Sequence, residues 1–286
     1  MKIGTRFLQV SFLATAALAL LTACSSAADS SKTDKRKAET IVIATDGATK
    51  PFDYSENNKL TGYDIEVARA VFKNLPQYKV KFQTTDFATI VTGIDSGRYQ
   101  IGANDFGWTS EREKKYYFSS PLSKSDNAIA VKSNAKTYKN LSDLADLSTE
   151  VNSASNYAKI LRDFNDKNPE KSTKINYISG QSPFSNRLSD VATGKIDFIL
   201  YDAISLKQSI KDMGFDGQLK VEKIEATSSD AEHDGYEYFL FAKTDEGKKL
   251  QTAVNAELKK LEADGTLKQL SEKYLGDDFV PDADKF

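Results

Sequence analysis

The chain has 286 residues, with 39 Lys and Arg against 41 Asp and Glu, a formal net charge of −2. That balance gives no reason to expect nucleic acid as a partner. With one cysteine and one histidine, an internal disulfide, a thiolate metal site and a His-based metal cluster are all excluded, so no metal and no cofactor are expected.

The leader comes first. Lys2 and Arg6 precede an apolar run from Phe7 to Leu21, short for a membrane span of about 20 residues. It ends in Leu21-Thr22-Ala23-Cys24, which resembles a lipobox of the bacterial lipoprotein class. The resemblance implies a signal peptide over 1–23, lipidation of Cys24, and a protein anchored to a membrane rather than spanning it. A plain secretory signal with an incidental cysteine would export the chain equally. Ser25 to Glu39 lacks large apolar residues, so 24–39 reads as a flexible tether. No later segment is apolar enough to cross a bilayer.

Order is expected from Thr40. Ile41 to Ala44 predicts a buried strand, with a turn at Asp46-Gly47. Tyr63 to Leu75 predicts a helix, with Ile65, Ala68, Val71 and Phe72 on one face and Pro76 closing it. Val80 to Phe82 reads as a strand. Asp86 caps a helix with Phe87, Ile90, Val91 and Ile94 on its apolar face, ended by Ser96-Gly97. Tyr99 to Ala103 is a third strand, with Asn104, Asp105 and Gly107 in the turn before Arg112. Further on, strands are expected at 128–131, 149–151, 196–201 and 236–242. Helices are expected at 141–144, 155–165, from Phe184 to Gly194, along Leu250 to Leu261, and at 267–274. Alternating strands and helices imply two α/β lobes with mostly parallel sheets.

Four segments together resemble the family-3 substrate-binding proteins of polar amino-acid ABC importers. They are Ile41-Val42-Ile43-Ala44-Thr45-Asp46 with Pro51-Phe52; Gly62-Tyr63-Asp64-Ile65-Glu66-Val67-Ala68; Thr109-Ser110-Glu111-Arg112 leading to Phe118-Ser119-Ser120-Pro121; and Gly194-Lys195-Ile196-Asp197 leading to Tyr201-Asp202. The resemblance covers residues 40–276. It implies the type II periplasmic-binding-protein clamshell, with two lobes joined by two hinge strands. Lobe 1 would hold 40–127 and 226–286, and lobe 2 would hold 128–225.

An amino-acid ligand carries a carboxylate and an ammonium, and a pocket closing over both must pair each. Arg112 suits the carboxylate, since a guanidinium offers parallel donors. Ser110 and Glu113 make a capping-box pattern that places Arg112 in a first helical turn. A surface arginine paired with Glu111 fits the same residues. Ser155 caps the helix opening Asn156-Tyr157-Ala158 and offers a second anion site. The family pattern there has a glycine where this chain reads Ser153-Ala154-Ser155. Asp202 stands beyond a buried strand, where α/β sheets bind ligands, and would accept the ammonium. A loop aspartate capping the next helix is the alternative. Asp46 follows the first strand in the same way. By resemblance, Phe87 packs the ligand, and Asn104 and Gly107 face it. Trp108 reads as a packing residue, Tyr63-Asp64 and Asp197 as structural, and His233 as a surface-loop residue.

The expected function is an exported, lipid-anchored monomer, on the extracellular face or in the periplasm. It would capture a polar amino acid between its lobes and hand it to an ABC permease. Ala103-Asn104-Asp105-Phe106 and Arg112-Glu113-Lys114-Lys115-Tyr116 look most like the cystine- and cysteine-binding branches. A dehydratase-like enzyme of the same fold would need a poised acid or base in the cleft, which Arg112 and Asp202 do not require. A ligand-sensing or adhesin lipoprotein is the third reading.

Overall fold

The structure, a computed structural model, describes residues 38–178, 184–226 and 232–286. The leader, Cys24 and nearly all of the expected tether lie outside the described residues. Among the described residues no helix is long and apolar enough to cross a membrane.

β1 (Glu39–Thr45) buries Ile41 and Ile43 on one side, as its apolar pattern requires. A small antiparallel sheet of β2 (Ala48–Thr49), β3 (Asp53–Glu56) and β4 (Lys59–Thr61) follows. It is too short and polar to show an apolar period. In α1 (Tyr63–Lys73), Ile65, Ala68, Val71 and Phe72 are buried, and Asp64 and Glu66 stand in the first turn, where the helix dipole favours acids. β5 (Tyr78–Thr84) pairs parallel to β1. α2 (Phe87–Asp95) is capped by Asp86, whose carboxylate accepts the Ala88 N–H at 2.9 Å.

β6 (Ile101–Gly107) is buried at every position. It runs longer than its apolar start suggests, so Asn104, Asp105 and Gly107 belong to the strand rather than to a turn. α3 (Ser110–Lys115), β7 (Tyr116–Phe118) and β8 (Ser123–Lys124) complete this part. The second sheet region contains β9 (Asn127–Lys132), β10 (Ser148–Asn152), α4 (Asn156–Lys167), β11 (Lys174–Ile178), α5 (Phe184–Thr193), β12 (Ile199–Asp202), α6 (Ala203–Asp212) and β13 (Leu219–Lys223). The chain then returns as β14 (Tyr236–Ala242), followed by α7 (Asp245–Ala263) and α8 (Thr266–Tyr274).

The first sheet has the order β5-β1-β6-β14-β7, with β8 also on β14. Its core joins Ile41, Ile43, Phe239 and Phe241 to the buried faces of α1, α7 and α8. Ile90, Ile94 and Phe106 fill the opposite face, under α2. The second lobe orders β12-β9-β13, with β10 parallel to β11. Its two faces are covered by the Tyr157, Ile160 and Leu161 side of α4 and by the Leu188, Leu206 and Ile210 sides of α5 and α6. The architecture is the expected two-lobe α/β clamshell, but its sheets are mixed. β14 runs antiparallel to β6, and β9 runs antiparallel to β12 and β13. Neither strand is delivered by a crossover helix from a neighbour, which is what makes neighbouring strands parallel.

Gly62 caps α1 at φ 115°, and a Cβ there would sit 2.4 Å from the Phe52 carbonyl oxygen. Gly62→Ala is therefore expected to cost roughly 1–3 kcal/mol of stability, read as a lowered thermal midpoint. An unchanged midpoint would show that the Phe52 turn yields freely.

Candidate functional site

The C-terminal end of β6 and the N-termini of α4 and α6 meet between the two lobes. Asp105, on β6, adopts φ 48°, a left-handed conformation that Asp tolerates better than most residues. Its backbone N–H donates to Asp64 Oδ2 at 2.9 Å. The Asp64 hallmark is thus structural, and it holds the strand that presents Asp105. Burial raises the Asp64 carboxyl to about 7. Asp197 is structural too: its Oδ2 accepts both the N–H and the hydroxyl of Ser148 at 2.7 Å.

Arg112 is buried at 8% exposure. Its Nη1 donates to the Gly107 carbonyl at 2.6 Å and its Nη2 to the Ala154 carbonyl at 2.9 Å, the latter across the lobe junction. Its guanidinium lies 4.9 Å from the Phe106 ring centroid, and Phe106 stacks on Phe87 at 5.1 Å. Burial draws its pKa down to about 10, against the charge of Asp105, so it remains a cation at neutral pH. The helix is capped by Thr109, not Ser110: the Thr109 hydroxyl accepts the Arg112 N–H at 3.1 Å. Two ion pairs also span the junction, Lys159–Glu111 at 2.9 Å and Lys50–Asp212 at 2.6 Å.

Asp202 takes the alternative role, as the cap of the next helix, and keeps its second oxygen without a partner. Oδ1 caps α6 by accepting the Ser205 N–H at 2.7 Å, while Oδ2 is buried without a partner. Burial raises its carboxyl to about 6, against the Ser205 hydrogen bond. Two further acids share this state. Asp105 Oδ2 and Glu237 Oε1 are also buried with no donor on them, and the two carboxyls stand within hydrogen-bonding reach of each other when one is protonated. Burial pushes Asp105 well above the usual carboxylate range, with the charge of Asp202 next; for Glu237 burial acts first and the charge of Asp105 second. All three acids line one cavity of about 440 Å³. Unsatisfied buried carboxyl oxygens cost free energy, and a bound ammonium would satisfy them.

A second cavity, of about 520 Å³, adjoins the first, with Asp105, Asn156 and Tyr157 common to both linings. Of the expected site residues, Asp46, Phe87 and Ser155 line the larger cavity, and Gly107 and Asp202 the smaller. A Cβ on Gly107 would lie 2.6 Å from Asn156 Nδ2, so glycine permits this close approach between lobes. Ser155 caps α4 by accepting the Ala158 N–H at 3.1 Å, and its hydroxyl donates to Asn152 O at 2.8 Å. Asp46 accepts from Ala48 N at 2.8 Å and from Thr49 Oγ1 at 3.0 Å.

Arg112 and Asn104 line neither cavity. Asn104 was expected to face the ligand; instead its amide ties Thr45, the Asp46 N–H and Thr49 together. His233 is not a bare surface residue. Its ring stacks on Trp108 at 4.9 Å, and Nδ1 lies 3.1 Å from the Tyr238 hydroxyl. Trp108 packs with Tyr236 and Tyr238, as expected. The reading from sequence missed Glu237, the aromatic wall of Tyr157, Tyr201 and Phe184, and Arg187. Glu237 did carry a signal, being the acid within the otherwise apolar and aromatic run Tyr236 to Ala242.

The profile of the bacterial extracellular solute-binding proteins, family 3, matches residues 41–277. The chain belongs to this family. The binding protein is 33% identical over 267 residues to the probable amino-acid-binding protein YxeM of Bacillus subtilis, covering 93% of this chain and 94% of that one. It is 31% identical to the L-cystine-binding protein TcyJ of the same organism, covering 87% and 88%. Among solved structures it resembles, at 38% identity and a TM-score of 0.80, one from work on glutathione import via GshT and the cystine ABC importer TcyBC of Streptococcus mutans. That match covers 87% of this chain and all of the other, 100%. The two Bacillus relatives are named as binding proteins, the family is one of solute-binding proteins rather than enzymes, and it is extracellular, so the binding protein is exported.

Proposed function

We propose that the binding protein is the receptor of an ABC importer and closes its lobes over L-cystine. The observation that carries this reading is the joining of opposite buried charges at the lobe junction. Arg112 and the acids Asp105 and Glu237 come from the first sheet and its α3, and Asp202 comes from the second. Arg112 lies behind the Gly107 carbonyl that lines the smaller cavity and takes the carboxylate once its bond to Ala154 across the junction opens, while the unpartnered acid oxygens take the ammonium. Ser155 and the free N–H groups that open α4 add anion-binding capacity, and Phe87 supplies an apolar wall. The cystine-binding relatives of Bacillus subtilis support the ligand. Glutathione is the second reading, favoured by the 38% identity to the structure from glutathione-import work. Calorimetry against L-cystine, L-cysteine, reduced glutathione and the standard amino acids tests both. Saturable binding of an unrelated ligand class, with none of these bound, would overturn them.

The receptor lobes lie at 40–127 with 226–286 and at 128–225 in this reading, and the protein acts as a monomer held to the membrane by lipid on Cys24. Cys24→Ser is expected to release mature protein into the medium or to leave uncut precursor, seen by fractionation. A mutant that stays membrane-bound and normally processed would remove the anchor from the proposal.

A further inference from the structure

Two arginines are buried among the described residues, Arg112 and Arg187. Arg187 is 6% exposed and comes from α5. Its Nη2 donates to the Glu150 carbonyl at 2.8 Å, and its Nε is buried with no hydrogen-bond partner. The Glu150 carboxylate is turned to Lys195, 3.7 Å away, and Arg187 forms no ion pair among the described residues. Its guanidinium lies 5.0 Å from the Phe184 ring and 6.0 Å from the Tyr201 ring. It lines the larger cavity with Phe87, Ser155, Asp46 and Asp105, whereas Asp202 and Glu237 line only the smaller.

A prop for two aromatic rings needs no charge. An apolar side chain would pack there without the cost of desolvating a cation. Burial draws the Arg187 pKa down only to about 10, so that cost is borne at neutral pH. Among the described residues no carboxylate pairs with it, although Asp46 and Asp105 line the same cavity, so a ligand carboxylate can supply the counter-charge. In the receptor reading above, on which this inference rests, one carboxylate and one ammonium of the ligand are already taken by Arg112 and the acid cluster. The larger cavity, about 520 Å³, then extends beyond the head of a single amino acid.

We propose that Arg187 binds a second carboxylate, at the far end of the ligand, so that the protein selects amino-acid derivatives carrying two carboxylates over simple amino acids. L-Cystine and glutathione share that chemistry: a second α-carboxylate in the one, a glycyl carboxylate in the other.

The test is calorimetry on full-length mature protein with four probes: L-cystine, reduced glutathione, the glycyl monoethyl ester of glutathione, and L-cystine monomethyl ester. The wild type is expected to bind at least one dicarboxylate at least about tenfold tighter than its counterpart with that carboxylate esterified. Arg187→Met should weaken the dicarboxylate by about tenfold or more and leave the counterpart within about twofold. A response confined to the cystine arm or to the glutathione arm upholds the inference and identifies the ligand. Equal losses for acid and counterpart, or no loss, overturn it while the receptor reading stands. Wild-type protein that binds none of the probes overturns both. Should Arg187→Met fail to fold, the wild-type preference for acid over counterpart decides alone: a ratio near one overturns the inference.

Discussion

Replacing Arg112 with alanine is expected to weaken amino-acid binding by tens-fold or more, the largest single effect in the site. Truncating one member of a buried, hydrogen-bonded charge pair costs roughly 2–5 kcal/mol. Arg112 has a second task beyond charge. Its donors hold the Gly107 carbonyl on one side of the junction and the Ala154 carbonyl on the other, so it ties the α4 turn to the end of β6. Arg112→Lys keeps the cation and loses the fork, and it should fall between wild type and alanine. Calorimetry on folded variants, with circular dichroism as the control, checks the order. A dissociation constant unchanged in Arg112→Ala would falsify the carboxylate assignment.

Acidification is expected to move affinity and apo stability in opposite directions. Burial raises the folded-state carboxyls of Asp202 to about 6 and Asp64 to about 7, and holds Asp105 and Glu237 above their ordinary range. Unfolded carboxylates titrate near 4. Between about pH 7 and about pH 4 the folded apo protein therefore binds more protons than the unfolded chain. Stability rises as pH falls through the folded pKa values and is lost as pH rises through them. The thermal midpoint of apo protein should thus climb from about pH 8 to about pH 5. Binding of an ammonium needs Asp202 ionised, so affinity should drop by roughly a decade per pH unit below about pH 6. Asp202→Asn should remove much of that slope, leaving what Asp105 and Glu237 contribute beside Arg112. It should also harm ligands with a free ammonium more than analogues without one. A pH-independent dissociation constant over this range would unseat the acid cluster as the ammonium site.

The alternation of strands and helices was readable because buried strands such as β1 and β12 are runs of apolar residues, and α1 and α7 carry apolar stripes at helical spacing. β2 to β4 were not, since their residues are polar and their pairing is set by neighbours distant from any period. Asp46, Phe87, Gly107, Ser155 and Asp202 all reach the paired cavities because strand ends and helix caps can be placed from local signals. Asn104 went elsewhere, since its partners Thr45, Asp46 and Thr49 depend on how a loop folds back. Glu237 and Arg187 show a different limit. Glu237 is marked as buried by the apolar and aromatic strand around it, whereas Arg187 reads as an ordinary charge on a helix, and for both only packing with remote elements shows that no counter-ion meets them among the described residues.

β14 lies between β6 and β7, yet it follows both by more than a hundred residues, with the whole second sheet in between. A chain emerging from its amino end therefore cannot close its first sheet until residues 236–242 arrive. Until then β6 and β7 keep open edges, each able to pair with a stranger. The first lobe stays unfinished for most of synthesis, and the last strand to arrive is also the one that carries Glu237 into the ligand site. Closure of the first sheet and completion of the acid cluster are thus the same event, with α7 and α8 still to pack over that sheet.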